Sequence, residues 1–172
     1  MSPDLFLASI IDPGLDILAE LGTPKPSDAA RQMMLAIALQ ESGPQLTARY
    51  QNSPSGSPGP ARGWWQFEQG GGVAGVISHP STRDRAKASC DKLTVVCANA
   101  SVWRALEGHD SLAAVFARLL LYSDPAALPG TEQAAWNYYL RNWRPGKPHP
   151  DAWPKNWQTA CDAVARNPLT GA

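Results

Sequence analysis

From Ala29 to Leu39 the chain reads AARQMMLAIAL, and only Arg31 and Gln32 interrupt its apolar surface. A helix that is apolar around nearly all of its circumference has to lie inside a domain. That requirement constrains the fold more than any other feature, because every other segment must then wrap this one. Ser27 stands where an N-cap accepts a backbone N–H, and Asp28 opens the first turn, where negative charge suits the helix dipole. Gln40, Glu41 and Ser42 make the last turn, and Gly43-Pro44 cannot continue it. A helix that belongs in the interior therefore finishes on a carboxylate.

The 172 residues, 44% of them apolar, suit one domain around one core. Helical patterning dominates, and the expected fold class is mainly α. Two short helices broken at Asp12-Pro13-Gly14 are expected over residues 1–26, as an N-terminal extension closed by GTPKP. The core over 27–140 continues with a Pro-, Ser- and Gly-rich stretch at 43–62, read as a loop rather than a strand. GWWQF follows as a short strand or turn. Helices are then expected around 80–92, 94–107 and 110–122, and over TEQAAWNYYLRNW, capped by Thr131. A turn-rich segment, RPGKPHPDAWP, leads to a last helix in KNWQTACDAVAR, with Trp143, Trp153 and Trp157 expected to pin it.

Lys and Arg together number 15, as do Asp and Glu, so no bulk charge favours a nucleic-acid partner. The first 22 residues lack a basic n-region and carry Asp4 and Asp12, which predicts synthesis in a reducing cytoplasm without a signal peptide or a membrane span. Cys90, Cys97 and Cys161 then read as buried thiols. With His79 and His109 they match no familiar ligand spacing, and neither a metal nor an organic cofactor is implied. Gly70-x-Gly72-x-x-Gly75 copies a dinucleotide fingerprint in letters only, because no β/α alternation surrounds it; close backbone approach explains these glycines better. Arg62, Arg83, Arg85 and Lys87 read as a solvated basic face that could also meet the carboxylates of an acidic substrate.

Glu41 carries the chemical interest. A carboxylate at a helix C-terminus faces the negative end of the dipole, and apolar surroundings disfavour its charge; both raise its pKa. A glutamic acid still protonated near neutrality is what glycosidic-bond cleavage needs as general acid. The plain alternative is a solvated last turn in which Glu41 pairs with Arg31 or Arg49.

Three segments in order, Glu41-Ser42, Gly63-Trp64-Trp65-Gln66-Phe67 and Trp136-Asn137-Tyr138, resemble the pattern of the soluble lytic transglycosylase and goose-type lysozyme superfamily over about residues 27–140. The LQES…GPARGWWQFE arrangement is also similar to that of phage-encoded members. The resemblance implies a lysozyme-like domain that cleaves the β-1,4 bond between N-acetylmuramic acid and N-acetylglucosamine in peptidoglycan. It makes Glu41 the acid, has Ser42, Gln66, Asn137 and Tyr138 or Tyr139 position the glycan, and makes Trp64 or Trp65 the apolar wall beside Glu41. In place of the family's usual leucine and methionine, this chain has those two tryptophans.

Glu68 is the candidate second carboxylate. An inverting hydrolase needs such a base to activate water, whereas in a lytic transglycosylase one glutamate serves twice and a 1,6-anhydro sugar forms. Capping the backbone of QGGGVAG is the structural alternative for Glu68, and Asp84 and Asp110 are more distant candidates. The implied site of action is the periplasmic cell wall, reached by an enzyme made in the host cytoplasm or carried in a virion. A virion protein that keeps a lysozyme-like fold only as a tail or head–tail scaffold, with other virion proteins as partners, is the competing expectation.

Overall fold

The computed structural model describes residues 1–22, 25–46, 50–52 and 58–169, and the protein is mainly helical. The interior helix is α3, Asp28–Ser42, with the Ser27 hydroxyl accepting from the Ala30 N–H at 3.2 Å. Met33 through Leu39 are each 1% exposed or less, so the all-round apolar run is the centre of the core. Residues 47–49 and 53–57 of the Pro/Ser/Gly-rich stretch, Arg49 included, lie outside the described residues.

At the N-terminus, α1 (Pro3–Phe6) and α2 (Asp12–Glu20) are joined by a π-helical turn, Leu7–Ile11. The expected break at Asp12-Pro13-Gly14 is absent. Pro13 falls in the first turn of α2, where its missing N–H costs nothing, and the wider π turn absorbs the change of pitch. Gly14 lets α2 press onto α7 (Asp110–Ser123), since a Cβ there would collide with that of Ala114. Leu112 through Leu119 are buried, making α7 a second interior helix.

Residues 43–62 are not all loop. Tyr50–Asn52 (β1), Pro58–Arg62 (β2) and Phe67–Glu68 (β3) form an antiparallel sheet in the order β1-β2-β3, with an irregular register between the first two. Strands this short, one with two prolines, give no alternating signal in sequence. The sheet is held from α6 (Asn99–Ala105) and the turn after it. The Trp103 indole N–H donates to the Pro60 carbonyl at 2.7 Å, and Arg62 lies over the Trp103 ring while pairing with Glu107 at 3.0 Å.

Ala74–Ser78 (α4) and Arg83–Lys92 (α5) complete the middle of the chain. Of the glycines in the false fingerprint, Gly72 packs on the Phe67 ring where a Cβ would stand 2.6 Å away. Glu132–Trp143 (α8) starts at Thr131, whose hydroxyl accepts from the Ala134 N–H at 3.4 Å. Trp153–Arg166 (α9) packs along α3. Trp153 and Trp157 are buried and stacked on α9, as expected of anchors of the last helix, whereas Trp143 donates to the Trp65 carbonyl and ties the end of α8 to the 63–67 turn instead. No helix among the described residues is long and apolar enough to cross a membrane.

Candidate active site

Glu41 is the penultimate residue of α3, half-buried, and its Oε1 accepts from the Tyr139 hydroxyl of α8 at 2.7 Å. Burial raises its pKa from the ordinary carboxylate range to about 7, against the Tyr139 hydrogen bond, which favours the ionised form. Its own burial, and then the charge and hydrogen bond of Glu41, push the Tyr139 hydroxyl far above its normal range, so this group is a fixed donor. Among the described residues no cation pairs with Glu41. Arg31, the partner considered from the sequence, sits at the other end of α3 and is committed to Asp12 and Asp28 at 2.7 and 3.0 Å.

The elements around Glu41 are tied together on both sides. Gln40, the preceding residue, accepts from the Asn156 side chain of α9 at 2.8 Å and donates to the His149 carbonyl at 3.0 Å. Ser42, the following residue, is 3% exposed and donates to the Trp64 carbonyl at 2.6 Å. Its proton therefore fixes the Gly63–Phe67 segment to the end of α3 instead of pointing outward. Tyr139 is held from behind by stacking on Trp153, with ring centroids 5.3 Å apart and planes 15° apart, and Trp136 packs against both rings.

The Gly63–Gln66 turn is tight. Gly63 has φ +72°, and a Cβ on it would stand 2.6 Å from the Leu106 carbonyl oxygen. Gln66 takes φ +51°, a left-handed conformation rare for a side chain of its size, and donates through both its backbone N–H and its amide to the Gly63 carbonyl at 3.1 and 2.9 Å. It is 8% exposed, and its Oε1 is buried without a hydrogen-bond partner.

The two tryptophans are core residues. Trp65 is fully buried, with its indole N–H on the Met34 carbonyl at 2.8 Å, and Trp64 is 4% exposed, with its N–H on Asp110 at 2.9 Å. Both pack on Phe6, at 5.5 and 5.7 Å. The wall expected of Trp64 or Trp65 is thus turned into the interior, and the aromatic group at the carboxyl is Tyr139. Tyr138 does not reach Glu41. It is buried and donates to the Leu121 carbonyl at 2.7 Å, because successive helical residues point about 100° apart and only one of the pair can face α3. Asn137 is exposed and accepts from Gln133 at 3.3 Å.

Glu68 is exposed on β3, at the N-cap position of the following π-helical turn, and its side chain makes no capping bond. The basic residues are all engaged: Arg62 with Glu107, Arg83 with Asp84, Lys87 with Asp91, and Arg85 with the Ser81 carbonyl. The sequence favours Tyr138 on α8 as the residue facing the site, whereas it is Tyr139 that meets Glu41, backed by a Trp153 that the sequence alone marks as an anchor of the last helix. Searches of known protein families, of characterised proteins and of solved structures find no match to this chain.

Proposed function

We propose that this protein is a peptidoglycan-cleaving glycosidase of lysozyme-like type, acting on the β-1,4 bond between N-acetylmuramic acid and N-acetylglucosamine with Glu41 as general acid. One observation carries the reading. A half-buried glutamic acid closes the central helix, its pKa is raised to about 7, and a tyrosine holds one of its oxygens while no cation among the described residues pairs with it. Such a group is close to half protonated at neutral pH, where proton donation to a leaving oxygen is most effective.

With Oε1 held by Tyr139, Oε2 is the oxygen that delivers the proton to the glycosidic oxygen. Gln66, strained and with a buried unsatisfied oxygen beside a tight turn, supports a binding role for the 63–67 segment. In the transglycosylase form of the reaction the Glu41 carboxylate then takes the proton of the muramic 6-hydroxyl as that oxygen closes on C1. In the hydrolase form, water attacks and Glu68 is the candidate base. The proposed setting is the bacterial cell wall, with a phage-encoded enzyme as the source suggested by the motif arrangement.

Mass spectrometry of purified peptidoglycan digested by wild type and by Glu41→Gln tests the proposal. Anhydro-muropeptides from wild type alone identify a transglycosylase, and reducing-end products identify a muramidase. If wild type releases no fragments, the enzymatic reading fails and a scaffold role in a virion takes its place.

A further inference from the structure

A cavity of about 600 Å³ lies away from Glu41, among the 79–81 turn, the C-terminal half of α7, the 124–128 segment and Tyr138 of α8. Arg118 lines it and is 6% exposed. Its Nε is buried without a hydrogen-bond partner, and among the described residues no carboxylate pairs with its guanidinium. The Tyr122 ring lies 5.8 Å from the guanidinium carbon, and Tyr138 is also within electrostatic reach of the guanidinium. Arg85 approaches the same ring to 5.2 Å, and its Nε is likewise buried and unpartnered. Two cations thus flank one phenol.

Several of the other polar groups around the cavity are already hydrogen-bonded. Asp124 is bonded to Arg141, Asn142 and the Ala126 N–H. The Tyr138 hydroxyl is on the Leu121 carbonyl, and His79 and Ser81 are bonded to each other at 2.8 Å. A guanidinium is rarely buried without a counter-charge, and burial here pushes the Arg118 pKa down, as expected of a cation without one.

We propose that this cavity binds an organic monocarboxylate, with its carboxylate on the Arg118 guanidinium and its apolar body against Leu121, Pro125, Ala126, Ala127 and Leu128. The planar guanidinium matches a carboxylate through paired hydrogen bonds. A single negative charge fits because Asp124 already borders the cavity, and a dianion such as phosphate would meet that charge. The inference is independent of the reaction at Glu41.

Amide chemical shifts of the isotope-labelled full chain, titrated with sodium butyrate against sodium chloride at equal ionic strength, test the assignment. Butyrate is expected to give saturable shifts at residues 79–82 and 118–128. Inorganic phosphate should bind at least about tenfold more weakly, and butylamine not at all. Arg118→Met is expected to abolish the saturable shifts while its spectrum stays dispersed and its Tm equals or exceeds that of wild type. Ala127→Glu, which keeps Arg118 and adds a negative charge at the exposed rim, should weaken butyrate at least about tenfold. Absence of a saturable butyrate response, phosphate binding as tightly as butyrate, or either variant binding butyrate as wild type does would each overturn the proposal. Glu41→Gln should bind butyrate unchanged, which separates this site from the proposed catalytic one.

Discussion

The Tyr139 hydroxyl donates to Glu41 Oε1 at 2.7 Å, while its neighbour Tyr138 spends an equally short bond on the Leu121 carbonyl. Two adjacent residues of one helix thus serve different purposes, one tuning a carboxyl and the other fastening α8 to α7. Burial and Tyr139 pull the carboxyl in opposite directions, and burial wins. Experiments on either tyrosine can therefore be told apart by what they do to a pH profile.

Glu41→Gln is expected to lower peptidoglycan cleavage by about 10²-fold or more and also to stabilise the fold above neutral pH. The folded pKa, about 7, lies above the ordinary value of 4.5. Between these values the unfolded chain ionises first, so stability falls as pH rises through that window and stays lower beyond it. The cost is on the order of 3 kcal/mol. Denaturation of both proteins at pH 4 and pH 8 checks this; a gain that is the same at both values would rule out Glu41 as its source.

Tyr139→Phe removes the bond that favours ionised Glu41, so the carboxyl pKa should rise further. In the wild type the rate should decline above about pH 7 as the acid loses its proton. In Tyr139→Phe that decline should move to higher pH. Tyr138→Phe should leave the profile in place and cost stability of about 1–2 kcal/mol, for an unsatisfied buried carbonyl.

Gly63→Ala is expected to destabilise by roughly 2–4 kcal/mol, because it combines a strained positive φ with a clash against backbone. The Leu106 carbonyl has no flexible end to swing aside. Urea unfolding gives the value, and a loss below about 0.5 kcal/mol would mean that the turn relaxes freely.

Arg31→Met should cost roughly 2–3 kcal/mol. Arg31 is 3% exposed and joins Asp12 of α2, Asp28 of α3 and the Asn167 carbonyl beyond α9. Because the guanidinium is buried, this loss should change little between low and high salt, unlike that of the exposed Lys87–Asp91 pair.

The parts of this molecule that could be read from its sequence are those governed by neighbours along the chain. The interior position of α3 follows from its uninterrupted apolar surface, and its start and stop follow from Ser27 and Gly43-Pro44. The same local logic places α8 behind Thr131 and marks Glu41 as a carboxyl at a helix end. What escaped depends on partners far away in sequence. The small sheet is held by Trp103 and Glu107, neither of which is marked as its neighbour. Choosing between Tyr138 and Tyr139 requires the rotation of α8 about its axis to within one residue, and order along the chain does not carry that. Trp64 and Trp65 look alike whether they face sugar or Phe6. Arg118 sits in an apolar stretch of α7 where a single arginine reads as a surface position, and only the assembled fold shows it buried.

The stacked rings of Tyr139, Trp153 and Trp157 end at the carboxyl of Glu41. That places a chromophore in direct contact with the group whose protonation matters. The indoles of α9 and the phenol of α8 are coupled through space, and a change of charge on Glu41 alters the field across that column. Near-ultraviolet circular dichroism and tryptophan emission therefore become an optical titration of Glu41, readable in the unlabelled protein before any substrate has been found.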